Sequence, residues 1–103
     1  MSISLKSGVV LHGLATPVIV AMIVADQVYS EHGHDLTLTS ALDGKHSSQS
    51  LHYVGQAIDL RTRDVPEDLR KTLRKKIAQR LGSDFDVILE KTHIHIEHQP
   101  RRA

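Results

Sequence analysis

Apolar residues first settle into a rhythm between residues 16 and 32. Val18, Met22, Ala25 and Val28 fall on one helical face, and Pro17 suits a first helical turn. A helix is expected from about Thr16 to His32, ending near Gly33. The pattern then shortens to a period of two in Leu36-Thr37-Leu38-Thr39, which reads as a short strand. From Ser40 to Val54 the periodicity is lost among Ser, Gly, Asp and His, the composition of a long loop, and long loops in compact domains are often functional. Alternation returns in Ala57-Ile58-Asp59-Leu60-Arg61, a strand with Ile58 and Leu60 on one face and Ala57, Asp59 and Arg61 on the other. Asp64, Pro66 and Glu67 form a helix start, after which Leu69, Leu73, Ile77 and Leu81 mark one apolar stripe that ends at Gly82. Phe85 to Glu90 and His93 to His98 read as a hairpin joined by Lys91-Thr92, and residues 99–103 as a frayed tail. The expected fold is α+β: a small antiparallel sheet with two helices packed on one face and the opposite face free to carry a site.

At 103 residues the chain has the size of a single domain, spanning residues 1–103, with no internal repeat or linker. Its 13 Lys and Arg nearly balance 12 Asp and Glu, which lacks the basic footprint of a nucleic-acid binder. There is no cysteine, so disulfides and thiolate metal sites are excluded and His, Asp and Glu are the available ligands. Eight histidines in so short a chain are the outstanding feature of the composition. Val9 to Ala25 is apolar, but His12, Gly13 and Pro17 interrupt it and it falls short of the ~20 apolar residues a membrane span needs. It is expected to lead into a core helix rather than to act as an anchor or cleaved signal, which would place synthesis in the cytoplasm.

Candidate chemistry concentrates in two segments, residues 44–59 and 90–97. In the second, strand geometry sends His93, His95 and Glu97 to one face and Ile94, Ile96 and His98 to the other. With Lys91-Thr92 as the loop, Glu90 pairs with His93 and Ile88 with His95, so that Glu90, His93 and His95 share a face. In the first segment a loop histidine, His52, can fold back over the Gly55 turn to meet Asp59. His52, Asp59 and one histidine of the His93-x-His95 pair make a two-nitrogen, one-oxygen set with one position open, as catalytic zinc requires. His12, His32 and His34 read as solvated or capping residues. Arg61 and Arg63 read as surface charges, and Glu97 either as a carboxylate orienting a ligand histidine or as an exposed strand-end charge.

The motif Ser50-x-His52-x-x-Gly55-x-Ala57-x-Asp59, followed by the His93-Ile94-His95 strand, resembles the signature of a zinc peptidase superfamily. That superfamily unites lysostaphin-type endopeptidases, D-Ala-D-Ala carboxypeptidases and dipeptidases, and the hedgehog signalling domain, and the resemblance covers about residues 36–98. It implies one zinc ion held by His52, Asp59 and His95, with His93 off the metal. Residues 43–59 look especially similar to hedgehog-type relatives, in which the histidine matching His46 lines the zinc cleft, while Ser50 matches a substrate-contacting serine of the dipeptidases. Glu90 takes the place of the family's general base. The implied activity is hydrolysis of peptide bonds in peptidoglycan stem peptides, as carboxypeptidase or endolysin-type endopeptidase. Zinc would activate water, Glu90 would carry its proton, and His93 with His46 would stabilise the oxyanion. The rival reading is a zinc-bearing binding module of the hedgehog type.

Overall fold

A computed structural model describes residues 3–41 and 56–100. The elements run β1 (Ile3–Leu5), α1 (Thr16–Glu31), β2 (Leu36–Ser40), β3 (Ala57–Arg61), α2 (Glu67–Leu81), β4 (Phe85–Leu89) and β5 (His93–His98). The strands form one sheet in the order β1-β2-β3-β5-β4, in which β1 runs parallel to β2 and every other pairing is antiparallel. This is the expected α+β architecture with one addition. Strand β1 has only three residues, too few for alternation to stand out, and makes the sheet mixed. It is held by its neighbour: Ile3, Ser4 and Leu5 lie beside Leu36, Thr37 and Leu38, and the Lys6 N–H continues the ladder to the Leu38 carbonyl at 2.9 Å.

The core lies between the sheet and the two helices. Val18, Ala21, Ala25 and Val28 of α1 and Leu73 and Ile77 of α2 are fully buried against Leu36, Leu38, Ile58, Leu60, Ile94 and Ile96. The apolar run from Val9 to Ala25 thus contributes a wall of the core, and no helix among the described residues is long and apolar enough to cross a membrane. The inward face of α1 also includes Tyr29, whose hydroxyl donates to the Arg61 carbonyl at 3.0 Å. Burial pushes that phenol well above its ordinary value. His32 follows α1 as its cap; its Nδ1–H donates to the Val28 carbonyl at 2.9 Å and its Nε2 accepts from Lys76 at 3.1 Å. Gly33, just beyond, takes a φ of 77°, a conformation costly for a residue with a Cβ.

Helix α2 starts later than Asp64 would set it. Thr62 to Val65 closes a turn through a 2.9 Å backbone bond, and Pro66 disfavours a helical Val65. The first helical residue is Glu67, without a side-chain cap; Glu67 and Asp68 instead place their charge against the helix N-terminus.

Strand β5 is bonded on both edges, to β3 with Asp59 opposite His95 and to β4 with Ile88 opposite His95 and Leu89 opposite Ile94. The hairpin register is the expected one, and its two-residue turn is closed by the Glu90 N–H donating to the His93 carbonyl at 2.8 Å. Ile94 and Ile96 are fully buried, whereas Ile88 on the opposite face is 43% exposed. Ile96→Ala is therefore expected to cost about 2–5 kcal/mol, and Ile88→Ala less than about 1 kcal/mol. Urea unfolding of the two variants checks this, and equal losses would mean that the faces are exchanged.

Candidate functional site

The site begins with what alternation leaves on the face away from the helices. On β3 that is Asp59 and Arg61, and on β5 it is His93, His95 and Glu97. Direct pairing of Asp59 with His95 and of Arg61 with His93 brings these side chains together across one strand gap. The Asp59 Oδ1 lies 2.8 Å from His95 Nδ1 and 3.7 Å from His93 Nε2. On the far side of the His95 ring, Nε2 is 2.7 Å from Glu97 Oε1, and the other oxygen of Glu97 accepts from the Gln99 amide. Asp59, His95 and Glu97 retain only 14%, 18% and 18% of their side-chain exposure, so these bonds act in a partly desolvated setting.

A carboxylate stands against each ring nitrogen of His95, an arrangement that favours the imidazolium, which can donate to both. Its pKa is accordingly raised, chiefly by the bond to Asp59 and further by Glu97, against the opposing effect of burial. His93 shares a 3.1 Å hydrogen bond with the Thr92 hydroxyl through Nδ1, which leaves Nε2 turned toward Asp59.

A bulge completes the wall. Leu38 pairs with Leu60 but Ser40 pairs with Asp59, so β2 spends one more residue than β3 over this step. The extra residue brings Thr39 and Ser40 to the edge of a cleft of about 430 Å³ that Asp59 and His93 also line. Sequence reading missed this bulge because the alternation of residues 36–39 carries no sign of where it stops.

Of the residues singled out from sequence, Asp59, His93 and His95 come together as expected. Glu97 joins them as the carboxylate on the outer nitrogen of His95, a part-buried contact rather than an exposed strand-end charge. Glu90 follows a different course. It stands one residue past the last ladder position of β4, where alternation no longer fixes its direction, and its exposed side chain lines a separate depression with Glu67, Asp68, Arg70 and Lys71. His98 faces away, sharing a 3.0 Å bond with Gln56 and stacking at a tilt on Phe85. His46, Ser50 and His52, with most of the loop expected over residues 40–54, lie outside the described residues.

Asp59 and His95 offer an oxygen and a nitrogen suited to a divalent transition metal. Two ligands at tetrahedral zinc, each at ~2.0–2.1 Å, stand about 3.3 Å apart. The observed 2.8 Å would need to open by only about half an ångström. The donor set therefore fits half of a zinc site. Among the described residues no third donor completes it.

A five-stranded mixed sheet backed by two helices is compatible with the hedgehog-like fold. The model of the hedgehog amino-terminal signalling domain matches residues 19–97, from the first turn of α1 to the Glu97 of the site, and the chain belongs to that family. The family is part of a superfamily that also contains zinc peptidases. Strand β1 lies outside the matched span.

The Asp59–His95 pair is expected to show a coupling energy of at least about 0.5 kcal/mol in a double-mutant cycle of Asp59→Ala and His95→Ala. Urea unfolding of chelator-treated protein measures it, and a coupling of zero would contradict the contact.

Proposed function

We propose that this chain is a zinc-bearing, peptide-binding domain of the hedgehog type, with one metal ion held by His52, Asp59 and His95. The observation that carries this reading is the Asp59 Oδ1 and His95 Nδ1 pair on neighbouring strands, with Glu97 on the far nitrogen of the same imidazole. Metal-ligating histidines commonly donate their other N–H to a carboxylate, which fixes the ring and its tautomer. Glu97 is placed to do this if a metal takes the place of the proton on Nδ1, the proton being released to solvent. The family match supports the same reading.

The second reading is a zinc-dependent peptidase acting on peptidoglycan stem peptides, and the position of His93 favours it. Held by His52, Asp59 and His95, a zinc ion would keep one position open and would supply activation of water and polarisation of a carbonyl. His93 Nε2 lies 3.7 Å from Asp59 Oδ1, one of the proposed ligands, and from there it could hold or pass a proton. Glu90, the base implied by resemblance, would have to leave its own depression to take part. His46 and Ser50 keep the roles of cleft lining and substrate contact within this reading.

About one zinc per chain is expected by elemental analysis, and His52→Ala, Asp59→Ala and His95→Ala should each abolish stoichiometric metal. Full zinc content in His95→Ala would overturn the ligand set. Glu97→Gln should retain zinc but weaken it about 10- to 100-fold in competition with a chelating dye.

Hydrolysis is checked by mass spectrometry of a stem peptide ending in D-Ala-D-Ala. On the peptidase reading the parent cleaves it slowly, and removal of the proton-carrying group, in His93→Ala or Glu90→Gln, lowers the rate at least about 100-fold without loss of metal. Zinc-loaded protein that cleaves no fragment across a broad panel leaves the binding module alone.

A further inference from the structure

We propose that Gln99 is a positioning residue of the site, acting through Glu97 to hold the imidazole of His95 with its Nδ1 turned toward Asp59. This deepens the metal-site reading and rests on it for its consequence for zinc. Alternation continues the row of His93, His95 and Glu97 to Gln99, one pleat further along the same face. The side-chain amide of Gln99 donates from Nε2 to Glu97 Oε2, while the other carboxylate oxygen, Oε1, lies 2.7 Å from His95 Nε2. On the far side of that ring, Nδ1 is 2.8 Å from Asp59 Oδ1. Gln99, Glu97, His95 and Asp59 thus form an unbroken chain of polar contacts, three along one stretch of backbone and the fourth across from it on β3.

The sequence pattern assigns residues 99–103 to a frayed tail, and the family match stops at Glu97. The backbone at Gln99 is nonetheless held. Its N–H donates to the Asp84 carbonyl at 2.7 Å, which extends the β4–β5 ladder one step past Phe85 and His98. Immediately before it, the His98 N–H donates to the Gln56 carbonyl at 2.8 Å. The His98 ring shares a 3.0 Å bond with the Gln56 side chain and lies 5.0 Å from the Phe85 ring. Tied down to both neighbouring strands, this end of β5 keeps Gln99 in line with the row of site residues.

The chemistry explains why an amide stands there. A glutamate side chain turns readily about its last bond, so one contact with His95 leaves the carboxylate loosely aimed. A second donor on the other oxygen removes that freedom and keeps Oε1 against Nε2. The donor is also neutral. A lysine or arginine in its place would draw on the negative charge that Glu97 presents to His95, whereas an amide orients the carboxylate and leaves its charge in place. The imidazole is planar, so fixing Nε2 also fixes the direction of Nδ1 toward Asp59, the other proposed ligand. Glu97 retains only 18% of its side-chain exposure, but the Gln99 end of the contact is exposed, which sets its expected effect below that of Glu97 itself.

The test uses the whole chain and two readouts: solvent exchange of the His95 Nε2–H in chelated ¹⁵N-labelled protein, and zinc affinity in competition with a chelating dye. Gln99→Met keeps the length of the side chain and removes the donor. It is expected to speed the exchange about 2- to 10-fold, the worth of one hydrogen bond, and to weaken zinc by a similar factor. The urea midpoint should not move, since the substituted side chain is exposed. Adding Gln99→Met to Glu97→Ala should change neither readout, because a residue that acts through Glu97 has nothing to act on once that carboxylate is gone. Exchange as slow in Gln99→Met as in the parent overturns the proposal, as does unchanged affinity in a parent that binds zinc. A Gln99→Met effect that persists undiminished in Glu97→Ala also overturns it, in favour of a general role at the strand end. The exchange readout needs no metal, so a parent that takes up no zinc but shows the exchange effect refutes the metal reading alone.

Discussion

Strand β5 is hydrogen-bonded along both edges, and its period of two assigns each of its side chains to either the core or the site. Ile94 and Ile96 turn inward to the helices, while His93, His95 and Glu97 turn outward. The same register sets Asp59 opposite His95 and Arg61 opposite His93. A slip of one residue would bury two imidazoles and the Glu97 carboxylate and expose two isoleucines, a change that costs several kcal/mol on the apolar side alone. The burial that makes the domain fold is thus also what holds the chemical groups in place. Tyr29 reinforces this coupling, since it spans from the core face of α1 to the carbonyl of Arg61, the last residue of β3 and two positions beyond Asp59.

The electrostatics of the outer face divide in two. Around His95, negative charge dominates: two carboxylates converge on one imidazole and favour its protonated form. A metal ion and a proton compete for the same Nδ1, because both answer the same need for positive charge between Asp59 and Glu97. At the end of β3 the described residues that line the adjoining cleft include Lys6, Arg61 and Arg63.

Much of this could be read from the sequence, and the rest resisted for physical reasons. Long periodic segments were legible: α1 ends one residue short of its expected limit, β3 spans the expected residues, and the Lys91-Thr92 turn fixes the hairpin register as alternation requires. Local features set by neighbours were not. Three residues of β1 have no pattern of their own and depend on β2 for definition. The bulge opposite Asp59 is a property of a strand pair and leaves no mark in either strand alone. The end of β4 released Glu90 from the face that alternation assigned to it, while Glu97 proved to be in 2.7 Å contact with His95 rather than an exposed strand-end charge. That Lys6 and Arg61 line one cleft was hidden because they are far apart in sequence and are brought together only through the sheet. Family membership follows from the match over residues 19–97, and hydrolysis does not follow from membership.

The central claim is that the Asp59–His95 pair is one edge of a metal site, with Glu97 holding the outer nitrogen of the ring. Long-range ¹H–¹⁵N correlation of the imidazoles, recorded on chelated protein and again with one equivalent of zinc, addresses it most directly. We expect zinc to strip the proton from His95 Nδ1 while Nε2 keeps its own, bonded to Glu97. A His95 ring that stays unchanged on adding zinc, or that loses its Nε2 proton instead, would contradict it.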